Sequence, residues 1–276
     1  MTRKIVSDSS ANVFSMEGVD FAAVPLKIIQ KGQEYADTPA LDVAAMMEAL
    51  HHHEGKTSTS CPNVAEWLDA FEGADQVFAL CITGQLSGSY GSACQAKADY
   101  EAEHPGAQVL VIDSLSAGPE LQLLLERLHA MVMAGDSFED IAAGMAAYQK
   151  KTHLLFVLES LKNLANNGRC SHTVAAVAGL LGIRLVGQAS PEGTLQPLHK
   201  ARGAKKALKE LWDEMEKAGY TGGAVRIAQC QNPAGAQALA EHIHSVYPQA
   251  DVQIVPTAGL CSYYAEQGGL MIGFEG

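Results

Sequence analysis

Residues 81–90 read CITGQLSGSY, an apolar run that gives way at Thr83 to glycines and hydroxyls. Ser87, Gly88 and Ser89 stand where a helix would start. Such a corner has two uses. The first N–H groups of a helix lack intrahelical partners and carry about half a positive charge, so a serine and a glycine there can cradle an anion. The alternative is an ordinary N-cap, with Ser87 satisfying one of those amides for ~1 kcal/mol. Three further corners share the grammar, at Asp8–Ser10, Thr57–Ser60 and Asp113–Ser116. If they follow parallel strands they converge on the carboxyl edge of one sheet, where open α/β folds bind ligands.

Other chemistry has thinner support. The hydrolase elbow G-x-S-x-G fails in register, because the chain runs Gly84-Gln85-Leu86-Ser87-Gly88. Adjacent His51, His52 and His53 would point in different directions around a helix, and His242 and His244 are two apart. No metal site is expected. Neither a Walker loop nor a G-x-G-x-x-G turn is present, so nucleotide binding has no signal. Arg169 follows Gly168 in NNGRCS, placed either for a surface ion pair or to reach an anionic group between domains.

The elements that must carry these residues follow from the patterning. An apolar β-prone run, a polar corner and a helix-period stretch recur in KIVSDSSAN, QVFALCITGQLSGSYGSACQAKADY and QVLVIDSLSAGPELQLLLERLHAMVMAG. GKTSTSCPNVAEWLDAFEG supplies the corner and the helix, with Asn63 and Glu66 at capping-box spacing. This alternation predicts βαβ units and a largely parallel sheet. After about residue 150 the texture changes to a strand, two helices around Gly168, a hairpin turning at Pro191–Gly193 and a charged amphipathic helix. Strand, helix, strand and a last strand over GGLMIGFEG complete the chain. The fold class is α/β in two domains. Residues 1–150 form an N-terminal, largely parallel αβα sheet, and 151–276 an α+β domain with antiparallel elements.

Composition excludes some partners. A net charge of −12 disfavours nucleic acid and anionic membranes, which need clustered Lys and Arg. The N-terminus lacks the apolar core of a signal peptide, and no stretch approaches the ~20 apolar residues of a membrane span. Six scattered cysteines without a C-x-x-C pair read as reduced thiols. A cytoplasmic protein without stable membrane insertion is expected.

Taken together, KIVSDSSAN, TSCPNVAEW, LSGSYGSA, VIDSLSAG, NNGRCS and GGLMIGF resemble, in order and from about residue 3 to 275, the DegV family of fatty-acid-binding proteins. The resemblance implies a two-domain α/β protein holding one long-chain, palmitate-like fatty acid in an interdomain tunnel, with no other cofactor. It implies that Thr59 and Ser87 hydrogen-bond the carboxylate, with the Gly88 amide close by. Arg169 becomes a candidate for the head group or for contact with an ATP-dependent fatty-acid kinase, to which a non-catalytic subunit presents the lipid. An acyl- or phosphoryl-transfer enzyme using Ser87 or Arg169 is the alternative. Two departures stand out. Cys61 and Asn63 replace the family's usual Gln and Ser. Tyr264 falls where many members carry a histidine, keeping a hydrogen bond without a positive charge. Residues 174–182 and 121–134 are candidate tunnel walls, although apolar stripes at that spacing are more commonly plain core.

Overall fold

The computed structural model describes residues 1–53, 55–178 and 182–276, and the side chains of all of these except 177 and 178. The first half runs β1 (Arg3–Asp8), β2 (Asp20–Val24), β3 (Lys27–Gln30), β4 (Gln33–Ala36), α1 (Val43–His51), β5 (Thr57–Ser60) and α2 (Val64–Phe71). It continues through β6 (Gln76–Cys81), α3 (Ser89–Glu103), β7 (Gln108–Asp113), α4 (Pro119–Ala134) and α5 (Phe138–Tyr148). The second half runs β8 (Thr152–Leu158), α6 (Lys162–Asn166), α7 (His172–Ala178), β9 (Ile183–Ala189), β10 (Leu195–Arg202) and α8 (Ala204–Lys217). It ends with β11 (Val225–Gln229), α9 (Pro233–Val246), β12 (Val252–Pro256), α10 (Gly259–Ala265) and β13 (Leu270–Glu275).

A four-stranded parallel sheet, in the order β2-β1-β6-β7, is built from the first half. Its strands are apolar at their centres because both faces are covered there. Ile5, Phe78 and Leu80 pack on α4 and α5 through Leu121, Leu124, Leu128 and Ile141. Val6, Val77, Ala79 and Cys81 face α2 and α3 through Trp67, Phe71, Ala93 and Ala96. This is the αβα half that the sequence predicts. The chain leaves β1 to one side for β2 and to the other for β6, so the crevice beyond the ends of β1 and β6 is a topological switch point.

The second half forms a six-stranded mixed sheet, in the order β10-β9-β8-β13-β11-β12, antiparallel except for the β11–β12 pair. Here the period-2 rule of strands decides function. Leu155, Val157, Val186, Ile227, Ile272 and Phe274 point to α8 and α9 and make the core on that side. The alternate residues point the other way: Gly273 meets the start of α4, Arg226 pairs with Glu126 of α4, and Leu154, Phe156 and Leu158 face a hollow.

The corner expected at Thr57–Ser60 is instead a strand. β5 pairs with β3, and β3 with β4, in a small antiparallel sheet. A run of hydroxyl residues containing two β-branched threonines suits a half-exposed ladder. The capping box at the start of α2 is present: the Asn63 side chain accepts from the Glu66 N–H, and the Glu66 carboxylate accepts from the Asn63 N–H. Asn63→Ala is expected to cost about 1 kcal/mol, read as a lower urea midpoint at unchanged slope.

Candidate functional site

A cavity of about 280 Å³ lies between the carboxyl edge of the parallel sheet and the free face of the mixed sheet. Its floor is set by strand register. Leu154, Phe156 and Leu158 alternate along β8, and Met271 of β13 sits opposite Phe156. Ala189 of β9 lies opposite Leu195 of β10 on the same face. The roof is Leu26, Ile82 and Leu115–Ala117, the loops that leave β2, β6 and β7. Leu260 and Ala265 of α10 close one flank.

The hairpin tip between β9 and β10 closes another side. Thr83 donates its hydroxyl to the Gly193 carbonyl at 2.8 Å. Gly193 has φ +85°, and a Cβ there would collide with Thr83 Oγ1, so only glycine lets the tip seat this closely. Thr83, prominent in the opening corner, is therefore a latch for the hairpin.

Several polar groups cluster in the wall of this largely apolar hollow. Thr59, Ser87, Gly88, Arg169 and Tyr264 all line it, so the structure brings together the five residues proposed for the head group. Thr59 and Tyr264 share a hydrogen bond of 2.7 Å. One hydroxyl donates to the other, which leaves the pair one O–H to offer a guest. Ser87 is not the N-cap of α3, a position taken by Gly88. Ser87 Oγ accepts from the Ser89 N–H at 3.2 Å, and its own proton stays free to donate. Arg169 is held by its Nε donating to the Leu86 carbonyl at 3.1 Å, which fixes a positive charge beside the corner. Cys61 closes in from β5: a Cβ on Gly88 would lie 3.0 Å from its Sγ. Burial pushes the Tyr264 phenol up, while the Thr59 bond and the Arg169 charge pull it partly back.

Not every expected corner joins in. Ser116 lines the cavity, but Asp8–Ser10 lies buried behind it. The apolar stripe of 121–134 is core against the parallel sheet and forms no wall. Of the other candidate wall, 179–181 and the side chains of 177 and 178 lie outside the described residues. The floor from β8 escaped the sequence reading because HLLFVL is apolar on both faces and shows no alternation. No His, Asp or Glu stands among the described lining residues. Among the described residues no group of three or more His, Cys, Asp or Glu is placed to hold a metal ion. No described helix is long and apolar enough to cross a membrane.

The family model described as "Uncharacterised protein, DegV family" matches residues 2–275. The chain belongs to the DegV family. Among its relatives is a DegV domain-containing protein of Streptococcus pneumoniae, 46% identical over 279 residues that cover 100% of this chain and 99% of the relative. The fold of this DegV chain is similar to that of the Streptococcus pneumoniae fatty acid kinase (Fak) B3 protein loaded with linoleic acid. That match has a TM-score of 0.98 at 46% identity and covers 100% of this chain and 99% of the other. A DegV family protein from Eubacterium eligens loaded with heptadecanoic acid matches with a TM-score of 0.97 at 43% identity, over 99% of each chain.

Proposed function

We propose that this DegV protein binds one long-chain fatty acid, its tail lying on the free face of the mixed sheet and its carboxylate at Thr59, Ser87 and the Gly88 amide. One observation carries the reading: a cavity lined mainly by apolar side chains has Thr59, Tyr264, Ser87, Gly88 and Arg169 clustered together in its wall. Roughly fourteen methylenes of a palmitate-like tail, at ~0.8 kcal/mol each, offer about 11 kcal/mol gross. Ordering and association costs take back much of that. The tail supplies affinity, and the head group must only avoid the penalty of an unpaired buried carboxylate. Two hydroxyl donors, one amide and Arg169 meet that need in a protein whose net charge is −12. The lobes are read as 1–150 and 151–276, with the guest between them.

The role we read is that of a non-catalytic, substrate-presenting subunit: the described lining residues at this cluster offer hydrogen-bond donors and a cation suited to holding a carboxylate. A groove bounded by residues 84–88 and 167–169 opens the same cluster to the surface. Through it a partner kinase can reach the head group. A carboxylate oxygen would attack the γ-phosphorus of ATP, forming an acyl phosphate and releasing ADP. Native mass spectrometry of the purified protein should show an added mass of roughly 250–285 Da, which denaturation releases. Protein that carries no such mass and takes up no added hexadecanoate would sink the reading. A covalent adduct would favour acyl transfer at Ser87 instead.

Tyr264 makes the head-group site insensitive to pH. Above about pH 6 the ligand is already ionised, and the phenol, raised further by burial, stays neutral. Affinity for hexadecanoate should therefore be flat between about pH 6 and 8. Tyr264→His would change this. An imidazolium attracts the carboxylate below its pKa and loses its charge above it, so affinity should fall as pH rises through about 6.5. Isothermal titration at several pH values checks both slopes.

A further inference from the structure

Two carboxylates lie wholly buried behind the site without lining it. Asp8 ends β1 at the switch point, and its Oδ2 accepts from the Ile82 N–H at 2.9 Å and from the Ser89 hydroxyl at 2.7 Å. Ile82 and Ser89 bracket the loop that presents Ser87 and Gly88. A single oxygen thus ties down both ends of that loop. Its other oxygen accepts from the amide and the hydroxyl of Ser10. Asp37 does the matching work for α10, accepting from the Gly259 and Leu260 N–H groups at 2.7 and 3.0 Å. Those amides open α10, the helix that carries Tyr264.

Neither side chain is a bargain for stability. Burial pushes both carboxyl pKa values up, against the hydrogen bonds that pull them down. A neutral residue would avoid that penalty. What a carboxylate adds is acceptor capacity: each oxygen takes two donors, and bonds to a charged acceptor are shorter and stiffer than neutral ones. Such stiffness matters where hydroxyls must wait at fixed positions for a ligand.

We propose that Asp8 and Asp37 are positioning residues for the head-group site, Asp8 holding the 82–89 loop that offers Ser87 and Gly88, and Asp37 holding the helix that offers Tyr264. The inference rests on the fatty-acid reading above.

The test compares hexadecanoate with hexadecan-1-ol, which share a tail and differ at the head. Asp8→Asn and Asp37→Asn put an amide nitrogen against N–H donors on one side. Ser89→Ala removes one donor to Asp8 and is the milder probe should either carboxamide fail to fold. Hexadecanoate affinity should fall about fivefold in the Asn variants and about threefold in Ser89→Ala, while hexadecan-1-ol affinity stays within about twofold. A merely structural role would weaken both probes together. An acid-to-alcohol affinity ratio that stays at the wild-type value in the folded variants, Ser89→Ala included, overturns the proposal. Wild-type protein that binds neither probe removes the fatty-acid reading itself, and this inference with it.

Discussion

Replacing Thr59 and Ser87 together by alanine is expected to weaken hexadecanoate binding by between about tenfold and a hundredfold, the loss of two hydrogen bonds to a charged acceptor. The two sites are not equivalent. Ser87 Oγ already accepts from Ser89, so its proton has no competing use, and Ser87→Ala alone should account for most of the loss. Thr59 shares its bond with Tyr264. Once Thr59 is gone the phenol is free to donate directly, so Thr59→Ala alone should cost less than Ser87→Ala. The double-mutant cycle should show that Ser87 and Thr59 act on one acceptor. Displacement of a fluorescent fatty acid measures the affinities, and the thermal midpoint of ligand-free protein reports whether the fold has suffered. Unchanged affinity in the double variant would remove the cradle from the account.

Much of this site can be read in the sequence, because short polar corners after apolar strands are local signals. Ser87 and Gly88 sit at such a corner and Arg169 at the glycine turn between α6 and α7, and loop chemistry survives without tertiary context. The parallel sheet and its helices are equally legible, since the strand–corner–helix grammar repeats. What sequence reasoning missed depends on long-range pairing. The polar run Thr57–Ser60 reads as a corner, but the ladder of β5 with β3 is what turns Thr57 and Thr59 to one side. There they meet Tyr263 and Tyr264, some two hundred residues along the chain, and no local pattern announces that meeting.

The cavity floor was illegible for a different reason. A strand buried on both faces is apolar at every position, so HLLFVL gives no hint that Leu155 and Val157 pack on helices while Leu154, Phe156 and Leu158 face a hollow. Helix α4 misleads in the opposite sense. Its apolar stripe fits a lipid wall as well as it fits a core, and only the position of the parallel sheet decides for core. Asp8 belongs to the same lesson. In SDSS it resembles one more anion corner, yet it is an acceptor, already saturated by the chain's own donors.

Ala189→Phe should abolish tight binding without harming the fold. Ala189 lies on the cavity face of β9, opposite Leu195, and its methyl group borders the hollow. A phenyl ring there takes the space of about four methylenes, which at ~0.8 kcal/mol each removes ~3 kcal/mol of tail burial and more than a hundredfold of affinity. Filling a hollow is unlike overpacking a core, since no neighbour must be displaced. The ligand-free variant should therefore melt at or slightly above the wild-type temperature. Wild-type protein should gain thermal stability on addition of hexadecanoate, and the variant should gain little. That pairing separates the two halves of the mechanism, because the polar cluster is untouched. If Ala189→Phe keeps its affinity within about threefold, the tail does not run along the mixed sheet, and the carboxylate must approach Ser87 from another direction.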